Sequence, residues 1–512
     1  MKTISRRRFV VTAALASTAL RFRAQERAGV RATLTIPAEA DGPQMPADFV
    51  GLSYEVQQLT DPKFFSRENA GLIGAFRKLA PHGVLRLGGN TSEFAYWKPA
   101  AGTPEPEHPY TRDVEGEPKA LYYPVTPEAI QNLAGFLAAT GWSCIYGIGM
   151  GTNTPDRAAS EAGFVAKALG ASLQYFQIGN EVDLFSRHLR DPKTWSPRTY
   201  VDEWLALARA IQGRVPGARF GMPDVAADIS WLTEIGAVWD SIADKPHVTT
   251  MSHHYYFDGP ATNPNVNIPN LLSPAAMVRV QKEADTANAA ARNLGARVRM
   301  TEGNTCYRGG KPGVSDVFAS ALWSADYSLL LASNNYSGIN LHGGAGVSVA
   351  NSVGGSLPGD VMLREKGDSP AQIAAHPHPF YTPIAKFGPE YELQPVGYGL
   401  KFAGLLAGGT FIRGDYSSQL RASGINASAY AARFHDGSVS VIVLNKDEER
   451  DLELELRFDT AKNGRVATAA LRAPSLDSRE AAIKTSAQSG RLGGGRFQVE
   501  VPRSTGLRIT VS

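Results

Sequence analysis

Two glutamates that follow short apolar runs could together hydrolyse a glycosidic bond. Glu181 ends residues 176–181, where Asn180 precedes it, and Glu302 ends residues 298–302. Glycoside hydrolysis uses such a pair, because one carboxyl group gives a proton to the leaving oxygen while the other, ionised, attacks the anomeric carbon. Either motif alone is explained equally well as a chance dipeptide or a surface acid. The chemistry therefore requires a fold that brings the two side chains together.

The surrounding sequence predicts such a fold. From about residue 49 to about residue 406, short apolar runs alternate with helical stretches, which is typical of βα units around a parallel sheet. Eight strands favour a closed (β/α)8 barrel, and they are predicted at 49–54, 84–87, 143–148, 173–178, 219–222, 248–252, 297–301 and 337–341. Glu181 then follows the fourth strand and Glu302 ends the seventh. Both lie at the C-terminal mouth of the barrel, where active sites of this fold are found.

The remaining chain predicts a second, all-β domain, so that the fold class is α/β with an all-β addition. Residues 45–408 are assigned to the barrel and 409–512 to the β domain. Within the latter, 427–434 and 438–444 flank an Asp-Gly turn and predict a β-hairpin. An isolated strand pattern at 31–36, within residues 29–44, has no helical partner. We expect it to pair with the β domain.

Residues 1–24 are expected to be an export signal. Residues 5–11 contain three consecutive arginines and resemble a twin-arginine motif, and an apolar run continues to Leu20. About 11 apolar residues are too few to cross roughly 30 Å of hydrocarbon, which makes a membrane anchor the weaker alternative. The prediction is a periplasmic or secreted protein.

Composition and charge exclude other classes of function. The chain is 43% hydrophobic and 20% charged, which is globular composition. Without the first 24 residues, 46 basic residues face 49 acidic ones, so that no global charge favours nucleic acid or an anionic membrane. Cys144 and Cys306 fall near the ends of strands that face each other across the predicted barrel. We expect free thiols.

The strand ends carry motifs that narrow the class. Asn180-Glu181 after the fourth strand with Glu302 at the end of the seventh is similar to the clan of barrel glycosidases that retain anomeric configuration. Further motifs at the other strands are residues 51–55, 84–90, 252–259 and 301–310. In combination they resemble glycoside hydrolase family 79, the β-glucuronidases and heparanases. The resemblance runs from the first strand into the β domain and implies a β-sandwich packed beside the (β/α)8 barrel.

The resemblance also implies roles for the residues of the pair. Glu181 would be the general acid/base and Glu302 the nucleophile. Asn180 would hydrogen-bond the sugar 2-hydroxyl, a contact that strengthens as oxocarbenium character develops.

The sixth strand is expected to add two residues to the site. Alternation along a strand puts His254 and Tyr256 on one face. Tyr256 would then donate a hydrogen bond to Glu302, while His254 would line the sugar site. A register shift of one residue would replace them by His253 and Tyr255. The alternative is that all of these are core residues of a buried strand.

Three further residues match sugar-binding positions of the family. Glu55 resembles the first-strand acid that holds sugar hydroxyls, although a salt-bridge partner at the barrel rim is an equal alternative. Asn90 occupies a sugar-contacting position after the second strand. Tyr381 matches the family's tyrosine near the eighth strand.

The loop after Glu302 matches the family's recognition of the uronate carboxylate. Tyr307 and the backbone around Gly309 would hold that group, since a glycine lets a main-chain N–H approach an anion closely. Heparanases have glycine where this chain has Arg308, which leaves the loop's geometry open.

These implications favour a retaining exo-β-glucuronidase whose partner is a carbohydrate with a terminal β-glucuronate. No metal or organic cofactor is predicted, and the sequence does not define the oligomeric state. Insertions at 99–124 and 343–379 would wall the cleft. The alternative is an endo-acting, heparanase-like enzyme, favoured by a run of basic residues at Arg292, Arg297, Arg299, Arg308 and Lys311. A non-catalytic carbohydrate-binding protein is the third reading.

Overall fold

A computed structural model describes residues 29–107, 114–118, 121–151, 153–345, 347–376, 379–459, 462–486 and 488–512, so that the expected export signal lies outside the described residues. The strands are β1 (Val30–Ile36), β2 (Val50–Glu55), β3 (Val84–Gly88), β4 (Ala95–Trp97), β5 (Tyr123–Val125), β6 (Ser143–Ile148), β7 (Leu173–Ile178), β8 (Phe220–Val225), β9 (Val248–Asp258), β10 (Arg297–Cys306), β11 (Ile339–Gly343), β12 (Ile384–Phe387), β13 (Glu390–Leu393), β14 (Thr410–Ile412), β15 (Ala427–Arg433), β16 (Val439–Asn445), β17 (Leu452–Phe458), β18 (Asn463–Arg472), β19 (Ala482–Thr485), β20 (Gly490–Gly493), β21 (Arg496–Val501) and β22 (Thr505–Val511). The α-helices are α1 (Ala70–Leu79), α2 (Pro127–Thr140), α3 (Pro155–Leu169), α4 (Pro197–Arg214), α5 (Ser230–Asp240), α6 (Ile268–Leu271), α7 (Pro274–Leu294), α8 (Phe318–Ser333), α9 (Ser348–Ser352), α10 (Pro358–Glu365), α11 (Pro370–Ala374), α12 (Pro395–Ala403) and α13 (Tyr416–Ala422).

Eight parallel strands close into a barrel, as predicted, in the order β2-β3-β6-β7-β8-β9-β10-β11. Their apolar residues are buried on both faces, between the barrel interior and the surrounding helices. The strands that most exceed their predicted length are β9, which continues to Asp258, and β10, which continues to Cys306. Most residues of these two extensions are polar, and several of them join a buried polar network at the barrel mouth. Polar runs of this kind do not have the pattern of a strand.

The second domain is built on a ten-stranded sheet, in the order β1-β17-β21-β20-β18-β22-β16-β15-β14, with β19 attached to β18. In β17, leucines and Phe458 are buried while the intervening residues are more exposed, and the sheet encloses an apolar core of its own. The predicted hairpin forms between β15 and β16. The N-terminal strand pairs in parallel with β17, from Val30 opposite Leu452 to Ile36 opposite Phe458. The (β/α)8 barrel with a β-sandwich domain is confirmed.

A buried ion pair joins the two domains. Asp326, on α8 of the barrel, accepts hydrogen bonds from Lys446 Nζ, from Ser428 Oγ at 3.0 Å and from Tyr430 OH at 2.7 Å. The side chains of Asp326 and Lys446 are 0% and 3% exposed. These contacts fix how the sandwich sits against the barrel.

Cys144 and Cys306 are free and buried, as predicted. Among the described residues, no helix combines the length and the apolar character needed to cross a membrane.

Candidate active site

The fold brings the two predicted glutamates together at the C-terminal mouth of the barrel. Glu181 follows β7 in a left-handed backbone conformation with φ 52°, and its N–H donates to the carbonyl of Asp224 at 2.7 Å. Glu302 is the sixth residue of β10. One carboxylate oxygen of Glu181, one of Glu302 and a ring nitrogen of His254 all lie within 4.8 Å of one another. Carboxyl groups roughly 5 Å apart are typical of retaining glycosidases, whereas inverting enzymes need about 6.5–9.5 Å.

Glu302 is held by both of its oxygens. Oε2 accepts a hydrogen bond from Arg86 Nη1 at 2.6 Å, and Oε1 accepts one from Tyr256 OH at 2.9 Å. Burial by itself raises the pKa of Glu302. The neighbouring His342, His254 and Arg86 outweigh burial, and the pKa lies well below the usual value of a glutamate. Glu302 is therefore ionised.

Glu181 has the opposite protonation tendency. Burial and the charge of Glu302 raise the pKa of Glu181. The hydrogen bond with His254 Nδ1, at 3.1 Å, partly offsets that rise. The net pKa lies above the usual value. One carboxyl group of the pair is thus favoured as an acid and the other as an anion, which is the division of labour that glycoside hydrolysis requires.

Arg86 organises the floor of the site and was not singled out from the sequence. It is fully buried on β3 and donates to Glu302, to Asp224 at 2.7 Å, to Asn180 at 2.7 Å and to Ser53 at 3.1 Å. Asp224 is also fully buried, and its pKa lies well below the usual value, because Arg86 outweighs the cost of burial. The sequence does contain a signal for Arg86, namely an arginine within an apolar strand, because a charge buried in a closed barrel must be paired.

His254 lies behind Glu181 and does not line the open side of the site. Its side chain has 0% exposure and lies between Glu181 and Asp224, whose Oδ2 is 3.6 Å from Nε2. The ring has no exposed surface in this structure, and its predicted contact with a sugar stays a prediction. Burial lowers the pKa of His254, but Glu302, Asp224 and Glu181 together raise it to about 10. The ring is a cation that orients Glu181.

The predicted register of the sixth strand is the one observed. Tyr256 reaches Glu302, whereas His253 pairs with Tyr336 OH at 2.8 Å and Tyr255 stacks on Tyr327 with ring centroids 4.9 Å apart. The latter two residues pack away from the glutamates.

Asn180 and Asn90 lie together beside Glu181. Asn180 Nδ2 donates to Asn90 Oδ1 at 3.1 Å, and Asn90 Nδ2 donates to the carbonyl of Ser352 at 3.2 Å. The buried Glu93, which the sequence did not reveal, accepts the N–H of Asn180 at 2.9 Å and those of Met150 and Gly151 at 2.7 Å. It ties the loops after β3, β6 and β7 to one another.

Glu55 is engaged within the barrel rim. Its carboxylate accepts the N–H and the hydroxyl of Thr91 at 3.0 and 2.7 Å, and it lies 3.3 Å from Nε2 of His342. The same ring brings Nδ1 to 3.7 Å from Glu302. His342, also unforeseen, therefore bridges two acids. These are the contacts of a rim partner, the alternative weighed above, and a contact of Glu55 with sugar stays a prediction.

The backbone of the loop after β10 has positive φ at three successive residues. Arg308, Gly309 and Gly310 have φ of 59°, 92° and 89°. A Cβ on Gly309 would lie 2.5 Å from Leu357. Gly309 and Gly310 are both buried. Successive residues in such a backbone conformation can turn their N–H groups toward an anion, which is what the family resemblance implies for this loop.

Aromatic residues close the site around Glu302. Tyr307 is 39% exposed, and its ring lies 6.3 Å from that of Tyr256. Tyr381 follows the second insertion, beyond the end of β11, yet its buried ring lies 6.1 Å from Tyr256 and 5.9 Å from His342. Both predicted tyrosines therefore pack near Tyr256, the residue that donates to Glu302.

Glu181, His254 and Glu302 are also spaced closely enough to hold a metal ion. The pKa of His254 is raised to about 10 by the acids around it, which favours the imidazolium in this arrangement, and the chemistry argued below uses the three groups for proton transfer.

Comparisons with known proteins give relatives and structural neighbours. No family model matches the chain. It is 27% identical over 320 residues to a β-glucuronidase of Aspergillus niger, which covers 58% of this chain and 56% of that protein. It is 25% identical over 316 residues to a β-glucuronidase of Neurospora crassa, covering 55% and 53%. The chain thus spans a little over half the length of these curated relatives.

Among solved structures, a 4-O-α-L-rhamnosyl-β-D-glucuronidase from Fusarium oxysporum matches with a TM-score of 0.66 and 18% identity, over 93% of this chain and all of that one. A family 51 arabinofuranosidase from Xanthomonas axonopodis matches with a TM-score of 0.64 and 13% identity, over 94% and 100%. At such identities the likeness concerns the fold.

Proposed function

We propose that this protein is a retaining glycoside hydrolase in which Glu302 is the nucleophile and Glu181 the acid/base. The observation that carries the proposal is the close carboxylate pair with opposite pKa shifts. In the first step the Glu302 carboxylate bonds to the anomeric carbon, the glycosidic C–O bond breaks, and the proton of Glu181 goes to the leaving oxygen. In the second, Glu181 takes a proton from water, the water oxygen bonds to the anomeric carbon, and Glu302 leaves as a carboxylate.

The proposed substrate is a terminal β-D-glucuronate, and the proposed family is glycoside hydrolase family 79. Both curated relatives are β-glucuronidases, and one structural neighbour acts on a glucuronide. The left-handed backbone at Gly309 and Gly310, next to Tyr307, suits a carboxylate at C6, because successive N–H groups in such a turn can converge on an anion.

Exo action is proposed because Arg308 ties the two sides of the cleft together. Its Nη2 donates to the carbonyl of Glu115, in the insertion after β3, at 3.2 Å. Its guanidinium also packs so closely on Gly116 that a Cβ there would overlap it. The same segment carries Glu117, which lines a small cavity together with Glu181. A wall at this position leaves room for a chain end but obstructs a continuous chain.

The basic run that favoured endo action is divided between the two ends of the barrel. Arg297 and Arg299 stand at the start of β10, whereas Arg308 and Lys311 follow its end. Lys311 Nζ is turned to the carbonyls of Asn263 and Val266. The run therefore offers a polyanion no continuous basic path beside the glutamates, which disfavours the heparanase-like alternative.

The test compares aryl glycosides and follows the products. Release of p-nitrophenol from its β-glucuronide, with the β-anomer appearing first in NMR, is the expected result, and it would exclude a non-catalytic carbohydrate-binding protein. The α-anomer appearing first would contradict the nucleophile assignment. Glu181→Ala should keep turnover of good leaving groups and gain activity with azide, since both bypass the missing acid. Faster turnover of an arabinofuranoside would point to another specificity of the same fold.

Export by the twin-arginine leader is also proposed, supported by the arginine triplet in residues 5–11. Replacement of Arg6 and Arg7 by lysine should keep a tagged protein inside the cell, while replacement of Arg21 should not. Equal export of both variants would contradict the proposal.

A further inference from the structure

The end of the barrel opposite the glutamates contains a second cavity, of about 290 Å³. It is lined by residues at or just before the starts of barrel strands, namely Pro46, Asp48, Gln174, Tyr175, Arg219, Thr249, Thr250, Arg297, Arg299 and Ser337. Along β10, the five steps from Arg297 to Glu302 span about 16 Å. The cavity is therefore separate from the proposed catalytic site.

The charge of this cavity is unbalanced. Its charged lining residues are three arginines, Arg219, Arg297 and Arg299, and one acid, Asp48. Asp48 already accepts a hydrogen bond from Gln174 Nε2 at 2.8 Å. None of the three arginines makes an ion pair within 4.0 Å in the part of the chain that the structure describes. Positive charges gathered in one recess attract an anion, and more strongly where protein walls exclude water.

Arg299 provides a second and independent observation. It is 2% exposed, its Nε donates to Asn340 Oδ1 at 2.7 Å, and its Nη1 donates to the carbonyl of Ser337 at 3.2 Å. Its Nη2 is buried without a hydrogen-bond partner among the described residues. Gly338 makes room for the guanidinium, since a Cβ there would lie 2.1 Å from Nη1. A buried guanidinium with an unused donor is favourable only when an acceptor completes it.

We propose that this cavity binds a small oxyanion. Arg219 and Arg297 stand exposed at its rim, and Arg299 at its wall supplies the buried charge. Thr249 and Thr250 belong to the same lining. Such an anion would neutralise the arginines that precede or begin β8 and β10, and would stabilise the folded barrel without contacting the substrate. Phosphate, sulfate and carboxylates share the required chemistry.

The test uses the full chain and titrates inorganic phosphate, sulfate and acetate at constant ionic strength, by calorimetry and by thermal unfolding against chloride. We expect saturable binding to one site for at least one anion, with a Tm that rises as the site fills. Arg297→Gln should weaken binding about tenfold or more, because it removes one of three positive charges. The exposed Arg472→Gln, in the sandwich, is the matched control and should bind as the parent does.

Comparison of the anions identifies the source: preference for phosphate or sulfate indicates a tetrahedral ligand, and preference for acetate a carboxylate. A rise in Tm that is equal in Arg297→Gln and Arg472→Gln would reflect the general effect of salts on burial and overturn the proposal. So would the absence of saturable binding. Arg219→Gln, also exposed, repeats the test at a second position. All three variants should keep the parent kcat/KM on an aryl glucuronide. If the parent itself did not cleave that substrate, the result would contradict the proposed function and would leave the anion measurements as they are.

Discussion

Arg86 Nη1 lies 2.6 Å from Oε2 of Glu302, and both side chains are more than nine-tenths buried. Since the second oxygen of Glu302 is held by Tyr256, the carboxylate has a fixed plane as well as a fixed charge. In the proposed mechanism this pair acts twice. It keeps the nucleophile ionised before attack, and it stabilises the carboxylate that departs when water hydrolyses the glycosyl-enzyme.

Glu302→Gln should lower kcat on an aryl glucuronide by about a thousandfold or more, because an amide cannot form the covalent intermediate while side-chain volume is kept. Steady-state kinetics measure the loss, and binding of glucuronate to the variant shows that the site is intact. Glu234→Gln, exposed on α5, serves as the control. Unchanged kcat in Glu302→Gln would remove Glu302 from the mechanism.

His254→Gln should shift the whole pH profile of kcat/KM to higher pH. The His254 cation lowers the pKa of Glu302 and also that of Glu181. Without it both pKa values rise, so that Glu302 ionises at higher pH on the acidic limb and Glu181 keeps its proton to higher pH on the alkaline limb. A residue that only contacted the sugar would raise KM and leave both limbs in place, and that outcome would refute the positioning role.

Tyr307→Phe should reduce the preference for aryl β-glucuronide over aryl β-glucoside. A site built for an anion leaves its donors unpaired when the substrate brings a hydroxymethyl group, so the parent is expected to discriminate by ~10³ or more. The ratio of the two kcat/KM values measures the preference, and kcat on the glucoside should stay near that of the parent. Tyr122→Phe controls for loss of a phenol elsewhere. A ratio unchanged in Tyr307→Phe would exclude Tyr307 from carboxylate recognition.

Arg308→Gly should open the cleft. Arg308 has a φ of 59°, which glycine adopts without strain, so the variant removes the side chain while favouring the same backbone. Activity on an aryl glucuronide should stay within a few-fold, whereas kcat/KM on long acidic oligosaccharides relative to short ones should rise about tenfold. Product lengths measured by chromatography decide the matter, and an unchanged length preference would show that the contact with Glu115 does not limit access.

Asp326→Asn should destabilise the protein by about 3–5 kcal/mol, because it leaves the buried Lys446 unpaired. The surface pair of Arg31 and Glu453 is the contrast: its side chains are 84% and 50% exposed, and Arg31→Gln should cost less than about 1 kcal/mol. Urea unfolding at neutral pH measures both. Equal losses would mean that Asp326 and Lys446 contribute no more than a surface contact.

The barrel could be predicted from the sequence because its strands are buried on both faces and therefore appear as apolar runs. Glu181, Glu302 and Tyr256 could be predicted to be neighbours because strand order and strand alternation determine where side chains project. The polar ends of β9 and β10 were not predicted as strand, because their inward side chains contact other polar groups and break the apolar pattern.

For a related reason, the sequence did not identify three residues of the site, Arg86, Asp224 and His342. Each is a single polar residue on a different strand, and its role exists only through partners far away in sequence: Arg86 and Glu302 are 216 positions apart. The buried surroundings of His254 were equally hidden, because alternation gives the direction of a side chain but not what lies in front of it.

The parallel pairing of β1 with β17 has a consequence for how the chain folds. Residues 30–36 find their partners at 452–458, more than 400 positions later. Bringing such distant segments together carries a large loop-closure entropy and slows folding. During synthesis the barrel segments emerge while β1 still lacks a partner, so the edge of the sandwich is completed only after the ribosome has made nearly the whole chain. Until then, β1 is an unpaired strand and a site of aggregation risk.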